Sequence, residues 1–186
     1  MKLEIEIKAR LRDREETIRQ LEARGCVFDA ISIQDDTVFV QKTGSLAEYL
    51  SNDVFMRIRI QNGDRTILTA KKPVRKSAEV LVKHEHETVV ESAEQTKAIL
   101  ELLGYTAAVH TVKSRQAGHV GEYEVCLDEI EGLGSFIELE KMGDAADAEH
   151  IQAHMGEFLV SLGVAPEDRV TKGYDILMVE KEISAQ

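Results

Sequence analysis

Tryptophan is absent from this 186-residue chain, and only two prolines and two cysteines occur in it. The thiols, Cys26 and Cys126, are far apart and match no metal or redox spacing, which argues against a zinc scaffold, a disulfide framework or a thiol–disulfide enzyme. They read as reduced cytosolic thiols. Basic charge is scarce: 23 Lys and Arg stand against 34 Asp and Glu, a net charge of −11. A sequence-blind nucleic-acid binder needs the opposite sign, so no nucleic-acid partner is expected. No apolar run is long enough to span a bilayer, and no basic-then-apolar leader opens the chain. No membrane partner is expected, and the expected location is the cytoplasm.

What the chain does have is charge in alternation. Hydrophobic residues make up 43% and charged residues 31%, enough for a core in a single domain over residues 1–186. Glu4-Ile5-Glu6-Ile7-Lys8 alternates strictly, with Leu3, Ile5 and Ile7 on one face of a strand and Glu4, Glu6 and Lys8 on the other. The pattern returns in the predicted strands 55–61, 65–72, 80–90, 109–116, 121–130 and 135–141, with further β structure over 26–40. Asn62-Gly63-Asp64 is a hairpin signal, and Pro73 is expected to stop its strand. Thr43 to Asp53 reads as a loop with a helical turn at Leu46 to Leu50. Asp13 and Ser92 predict helix caps. The second helix carries Ile99, Leu100, Leu102 and Leu103, and a third, Asp147 to Leu162, has the stripe Ile151, Met155, Phe158, Leu159 and Leu162. A last helical turn or two is read over Lys172 to Lys181.

The charged faces hold bases (Lys8, Arg57, Arg59, Lys71, Lys83, Lys113, Arg115) and acids (Glu4, Glu6, Glu85, Glu87, Asp128, Glu138, Glu140). An open sheet would simply solvate them. The acids, however, come in i, i+2 pairs, as clustered oxygens for Mg²⁺ or Mn²⁺ do. The bases also pair, as Arg57 with Arg59 and Lys113 with Arg115, which suits a polyanion such as polyphosphate. Apolar helices need a sheet face to cover. Closing the sheet puts the helices outside and the charges in the lumen, which demands that every charge be paired, hydrated or ligand-bound.

These motifs resemble the CYTH family, the triphosphate tunnel metalloenzymes. E-x-E-x-K is Glu4 to Lys8, R-x-R is Arg57 to Arg59, and L-T-x-K-x-P is Leu68 to Pro73. K-x-R is Lys113 to Arg115, and the closing motif runs from Asp128 through Leu133-Gly134 and Phe136 to Glu138 and Glu140. The resemblance covers about Lys2 to Lys141. Two positions depart from it: Lys83-His84-Glu85 stands for R-x-E, and Lys172-Gly173-Tyr174 for R-S-Y.

The resemblance implies an α+β fold, a closed eight-stranded antiparallel β-barrel with a charged lumen and helices packed outside. It implies metal ligands Glu4, Glu6, Asp128, Glu138 and Glu140, with Mg²⁺ or Mn²⁺ as cofactor. Phosphate ligands would be Lys8, Arg57, Arg59, Lys71, Lys83, Lys113, Arg115 and Lys172. Glu4, Glu6 and Lys8 are the implied catalytic group, with Glu85 and Glu87 as further tunnel acids. The partner is ATP or another triphosphate, and a homodimer is a reasonable expectation for such a fold. The implied activity is first a class IV adenylyl cyclase, forming cyclic AMP and pyrophosphate. The alternatives are an inorganic or thiamine triphosphatase and a non-catalytic polyphosphate-binding module. The missing tryptophan weighs against a dedicated thiamine triphosphatase. Three other groups read as bland: His84 and His86 face away from the acids, His150 and His154 face solvent, and Cys126 is a small packed thiol.

Overall fold

The computed structural model describes residues 3–41, 54–76, 81–144 and 146–184. The expected loop with its helical turn at Leu46 to Leu50 lies outside these residues. In chain order the strands are β1 Leu3–Arg10, β2 Val27–Phe28, β3 Ser32–Gln41, β4 Phe55–Gln61, β5 Arg65–Lys76, β6 Leu81–Val90, β7 Tyr105–Val120, β8 Tyr123–Ile130, β9 Gly134–Gly143 and β10 Arg169–Val170. The helices are α1 Arg14–Glu22, α2 Ala93–Leu102, α3 Ala148–Ser161 and α4 Tyr174–Ser184. The class is α+β with antiparallel pairing, as the sequence predicts. Eight of the strands have seven or more residues, while β2 and β10 have two each.

The chain forms two compact units, Met1–Ile31 with Val74–Lys83 and Ser114–Thr171, and Ser32–Pro73 with His84–Lys113 and Lys172–Gln186. Strands β5, β6 and β7 contribute residues to both.

In the first unit β1 pairs with β9 along its whole length, from Leu3↔Gly143 to Arg10↔Phe136. It also pairs with β10 and, at Ile5↔Val82, with β6, while β8 pairs with the other edge of β9. Alternation sends Ile7, Ala9, Val125, Leu127, Ile137 and Leu139 to one face, where they pack on Leu21 of α1 and on Met155 and Leu159 of α3. The predicted stripe of α3 is the one that packs. Gln152, buried on the same helix, donates from Nε2 to the Glu6 carbonyl at 2.9 Å and so ties α3 to the middle of β1. Asp13 caps α1 by accepting from the Glu16 amide at 2.9 Å.

In the second unit the order is β3–β4–β5, with Asp36↔Arg59 and Arg57↔Thr69 among the directly opposed pairs. Asn62 at φ 54° and Gly63 at φ 80° make the left-handed turn of the β4–β5 hairpin. Phe39 and Ile58 form a core with Leu100 of α2.

One expectation is corrected. β5 does not stop at Pro73 but runs on to Lys76, because the fixed φ of proline lies within the β region and removes only one donor from the ladder. Of the four apolar residues read on the second helix, Leu100 is buried, while Ile99, Leu102 and Leu103 are exposed, Leu102 by 89%. A short helix offers its partner one narrow face, and the 3.6-residue period gives that face to Thr96 and Leu100.

Candidate active site

The register of the first unit builds rows of charge on the face opposite its core. Glu6 lies opposite Glu140, which lies opposite Glu124. One step along, Lys8 lies opposite Glu138, and Glu138 opposite Cys126. Directly opposed like charges destabilise a sheet unless a cation intervenes. Ligand oxygens of Glu4, Glu6 and Glu140 all lie within 4.8 Å of one another, a donor set that fits a hard divalent cation. Burial pushes the Glu140 carboxyl up to about 8, helped by the negative charges of Glu138, Glu4 and Glu6 and opposed by Arg115. A cavity of about 340 Å³ opens on this corner, with Glu4, Glu124, Glu140, His119 and Lys141 among its lining residues.

The next row is held by internal cations. Asp128, fully buried, accepts from Arg115 Nε at 2.7 Å and from Nη2 at 2.6 Å. Arg115 also pairs with Glu138 and stands 3.9 Å from Glu140, and Lys8 reaches Glu138 at 2.9 Å. Burial alone would lower the Arg115 pKa. The charges of Glu138 and Asp128 outweigh it and hold the guanidinium firmly protonated. Cys126 is buried beside Glu124, and burial pushes its thiol far above the usual range, so it is a neutral packed group.

The second unit carries the cation-rich face. Asp36 on β3 grips Arg59 with both oxygens, at 2.7 and 2.8 Å, and stands 4.0 Å from Arg57. Burial would raise its carboxyl, but the Arg59 hydrogen bonds and the charges of Arg57, Arg59 and Lys113 hold it below the ordinary value. Arg57 also meets Glu87 at 3.0 Å and Glu85 at 3.5 Å. Burial and the neighbouring Arg59 lower its pKa. Lys71 pairs with Glu85. Thr69, fully buried, donates to Glu87 at 2.7 Å and accepts from Arg57 at 3.1 Å. Lys113, buried, lies 5.0 Å over the Tyr174 ring.

Each predicted site residue can now be placed. Glu4, Glu6 and Glu140 come together, as do Lys8, Arg115, Asp128 and Glu138, and as do Arg57, Arg59, Lys71, Glu85 and Glu87. Lys172 is half exposed and pairs with Glu180 at 2.6 Å. Lys83 lies on β6, with its side chain outside the described residues. His86, His150 and His154 are exposed, the last two ring to ring at 4.1 Å.

Sequence reasoning missed Asp36 and Thr69. The signal for Asp36 was its spacing: Gln34 and Asp36 stand two apart in a β-rich stretch and so share one face, and the structure buries both, each 5% exposed.

The CYTH domain family model matches residues 2–174, and the chain belongs to the CYTH family. A Methanocaldococcus jannaschii protein named "putative adenylate cyclase" is 27% identical over 173 residues, covering 92% of this chain and 96% of that protein. A Pyrococcus horikoshii protein of solved structure superposes with a TM-score of 0.81 at 26% identity, covering 96% of this chain and 99% of that one. The solved Hippeastrum protein described as a "putative adenylyl cyclase" with a dominant triphosphatase activity has a TM-score of 0.64 at 18% identity, covering 98% and 96%. Among the described residues no helix is long and apolar enough to cross a membrane.

Proposed function

We propose that residues 1–186 act as one CYTH domain and that the chain is a divalent-metal-dependent enzyme acting on triphosphates, in the first place an adenylyl cyclase. The observation that carries this reading is the carboxylate trio Glu4, Glu6 and Glu140, whose ligand oxygens converge within 4.8 Å. Glu4, Glu6 and Glu140 would hold Mg²⁺ or Mn²⁺, with Asp128 and Glu138 beside them. The bound metal would polarise phosphate oxygens and stabilise the leaving pyrophosphate.

The chain's own groups do the rest. Arg57, Arg59, Lys71 and Lys113, with Lys8, Arg115, Lys83 and Lys172, neutralise and orient phosphate oxygens, and phosphoryl transfer is largely this work. Glu85 and Glu87 hold Arg57 and Lys71 in place before substrate arrives. In the cyclase reaction the ribose 3′-hydroxyl attacks the α-phosphorus. The 3′-oxygen to α-phosphorus bond forms as the hydroxyl proton passes to water, the bond from the α-phosphorus to the oxygen bridging to the β-phosphate breaks, and cyclic AMP and pyrophosphate leave. The name carried by the Methanocaldococcus protein favours this reading. The triphosphatase activity described for the Hippeastrum protein favours a second, in which water attacks a terminal phosphorus.

Product analysis tests both. The purified chain is incubated with Mg²⁺ or Mn²⁺ and ATP, inorganic triphosphate or thiamine triphosphate, and the products are separated. Cyclic AMP with pyrophosphate establishes the cyclase. Orthophosphate with ADP or pyrophosphate establishes the triphosphatase.

A further inference from the structure

Gln34 shares the face of β3 that carries Asp36, and it is 5% exposed. Its Oε1 is buried and has no hydrogen-bond partner among the described residues. Buried acceptors in folded proteins are nearly all satisfied, so such an atom calls for a reason. The register of β3 and β4 places it: Val38 opposes Arg57, Asp36 opposes Arg59, and Gln34 opposes Gln61. Each step along this face is two residues, about 7 Å. Gln34 therefore lies one step beyond the Asp36–Arg59 pair and two beyond Arg57, in a straight row. A phosphate chain held by the two arginines and directed toward this end of the row would bring its next group to Gln34. Arg57 contributes a matching signal, since its Nε is also buried with no hydrogen-bond partner.

We propose that Gln34 is a specificity-determining residue whose amide oxygen accepts a hydrogen bond from a hydroxyl or amine on the organic end of an organic triphosphate. This rests on the triphosphate reading above and narrows its substrate class to nucleotide-like molecules, because inorganic triphosphate has no organic end. A neutral amide suits the position. It adds no charge to repel the phosphates, and a site built around a hydrogen bond discriminates strongly against ligands that lack the partner.

The test is calorimetric titration of the wild type, Gln34→Met and Gln34→Asn with ATP, ITP and inorganic triphosphate, with Ca²⁺ in place of Mg²⁺ so that binding is read without turnover. Methionine keeps the length and removes the acceptor, and asparagine keeps the amide but draws it back. Both variants are expected to bind ATP about tenfold or more weakly and inorganic triphosphate within about twofold of wild type. Loss of the ATP preference with ITP unaffected identifies a base amine as the donor, and parallel loss for ATP and ITP identifies a hydroxyl. Equal weakening toward all three ligands makes Gln34 a prop for the arginines and overturns the proposal, and unchanged ATP binding overturns it as well. Should neither variant fold, the wild type decides. Binding inorganic triphosphate but not ATP overturns the role of Gln34 and leaves the clamp standing, binding neither overturns the triphosphate reading and this inference with it, and tighter binding of ATP supports it.

Discussion

Replacing Glu140 by glutamine should stabilise the metal-free protein at alkaline pH while abolishing its response to metal. Glu140 titrates at about 8 where an ordinary carboxyl titrates near 4.5. The folded state therefore holds its proton more tightly than the unfolded chain does. Stability from this group is fully present below 4.5 and is lost as pH rises from there through 8. At about 1.4 kcal/mol per pH unit the complete loss is at most roughly 5 kcal/mol, and the side chain's partial exposure, 17%, together with relaxation lowers that to about 2–4 kcal/mol. Glutamine keeps the shape and cannot ionise, so Glu140→Gln should gain about that amount over wild type at pH 9 in EDTA and almost nothing at pH 4.5. Urea denaturation at both values measures it. Mg²⁺ or Mn²⁺ should raise the wild-type melting temperature more at pH 9 than at pH 6, because binding needs the carboxylate, and should leave the variant unmoved. A variant less stable than wild type at pH 9, or one that keeps the metal response, would refute the placement of Glu140 in a crowded acid cluster that a cation relieves.

Other substitutions separate the site from its frame. Asp128→Ala removes the bidentate partner of Arg115 in a fully buried position and should cost about 3–5 kcal/mol in urea denaturation, with or without metal. Leu159→Ala opens a cavity under α3 and should cost about 2–5 kcal/mol while leaving triphosphate affinity near wild type once folded. Arg59→Ala and Lys71→Ala should weaken inorganic triphosphate by about ten- to a hundredfold in calorimetry. Unaltered affinity in both would move the clamp elsewhere.

The fold was legible where one strand reports its own environment. In β1 Ile5, Ile7 and Ala9 belong to the helix-packed cores while Glu4, Glu6, Lys8 and Arg10 carry charge, so the faces could be assigned before any pairing was known. The same holds for α3, whose apolar stripe is the one that packs. Partnerships were less legible, because they depend on register. Asp36 stands beside a second acid, Asp35, on the other face of β3, and nothing local announces which of the two meets Arg59, which lies 23 residues away. The division of labour among the acids was hidden for the same reason. Glu138 and Glu140 belong to one motif, yet the pairing of β9 with β1 sets Glu138 against Lys8 and Glu140 against Glu6. Register thus binds one acid to an internal cation and groups the other with carboxylates. The exposed Leu102 shows the opposite limit, since apolar identity alone does not specify which side of a short helix meets the sheet.

The central claim is that converging carboxylates make this chain a metal-dependent enzyme of triphosphates. The most direct test compares wild type with Glu6→Ala, incubated with ATP or inorganic triphosphate and Mn²⁺ or Mg²⁺, with substrate loss followed by chromatography. The account predicts metal-dependent consumption by wild type, its arrest by EDTA, and a loss of about a hundredfold or more in Glu6→Ala while the variant keeps a cooperative melting transition. Consumption that persists in EDTA, or a Glu6→Ala variant as active as wild type, would contradict it.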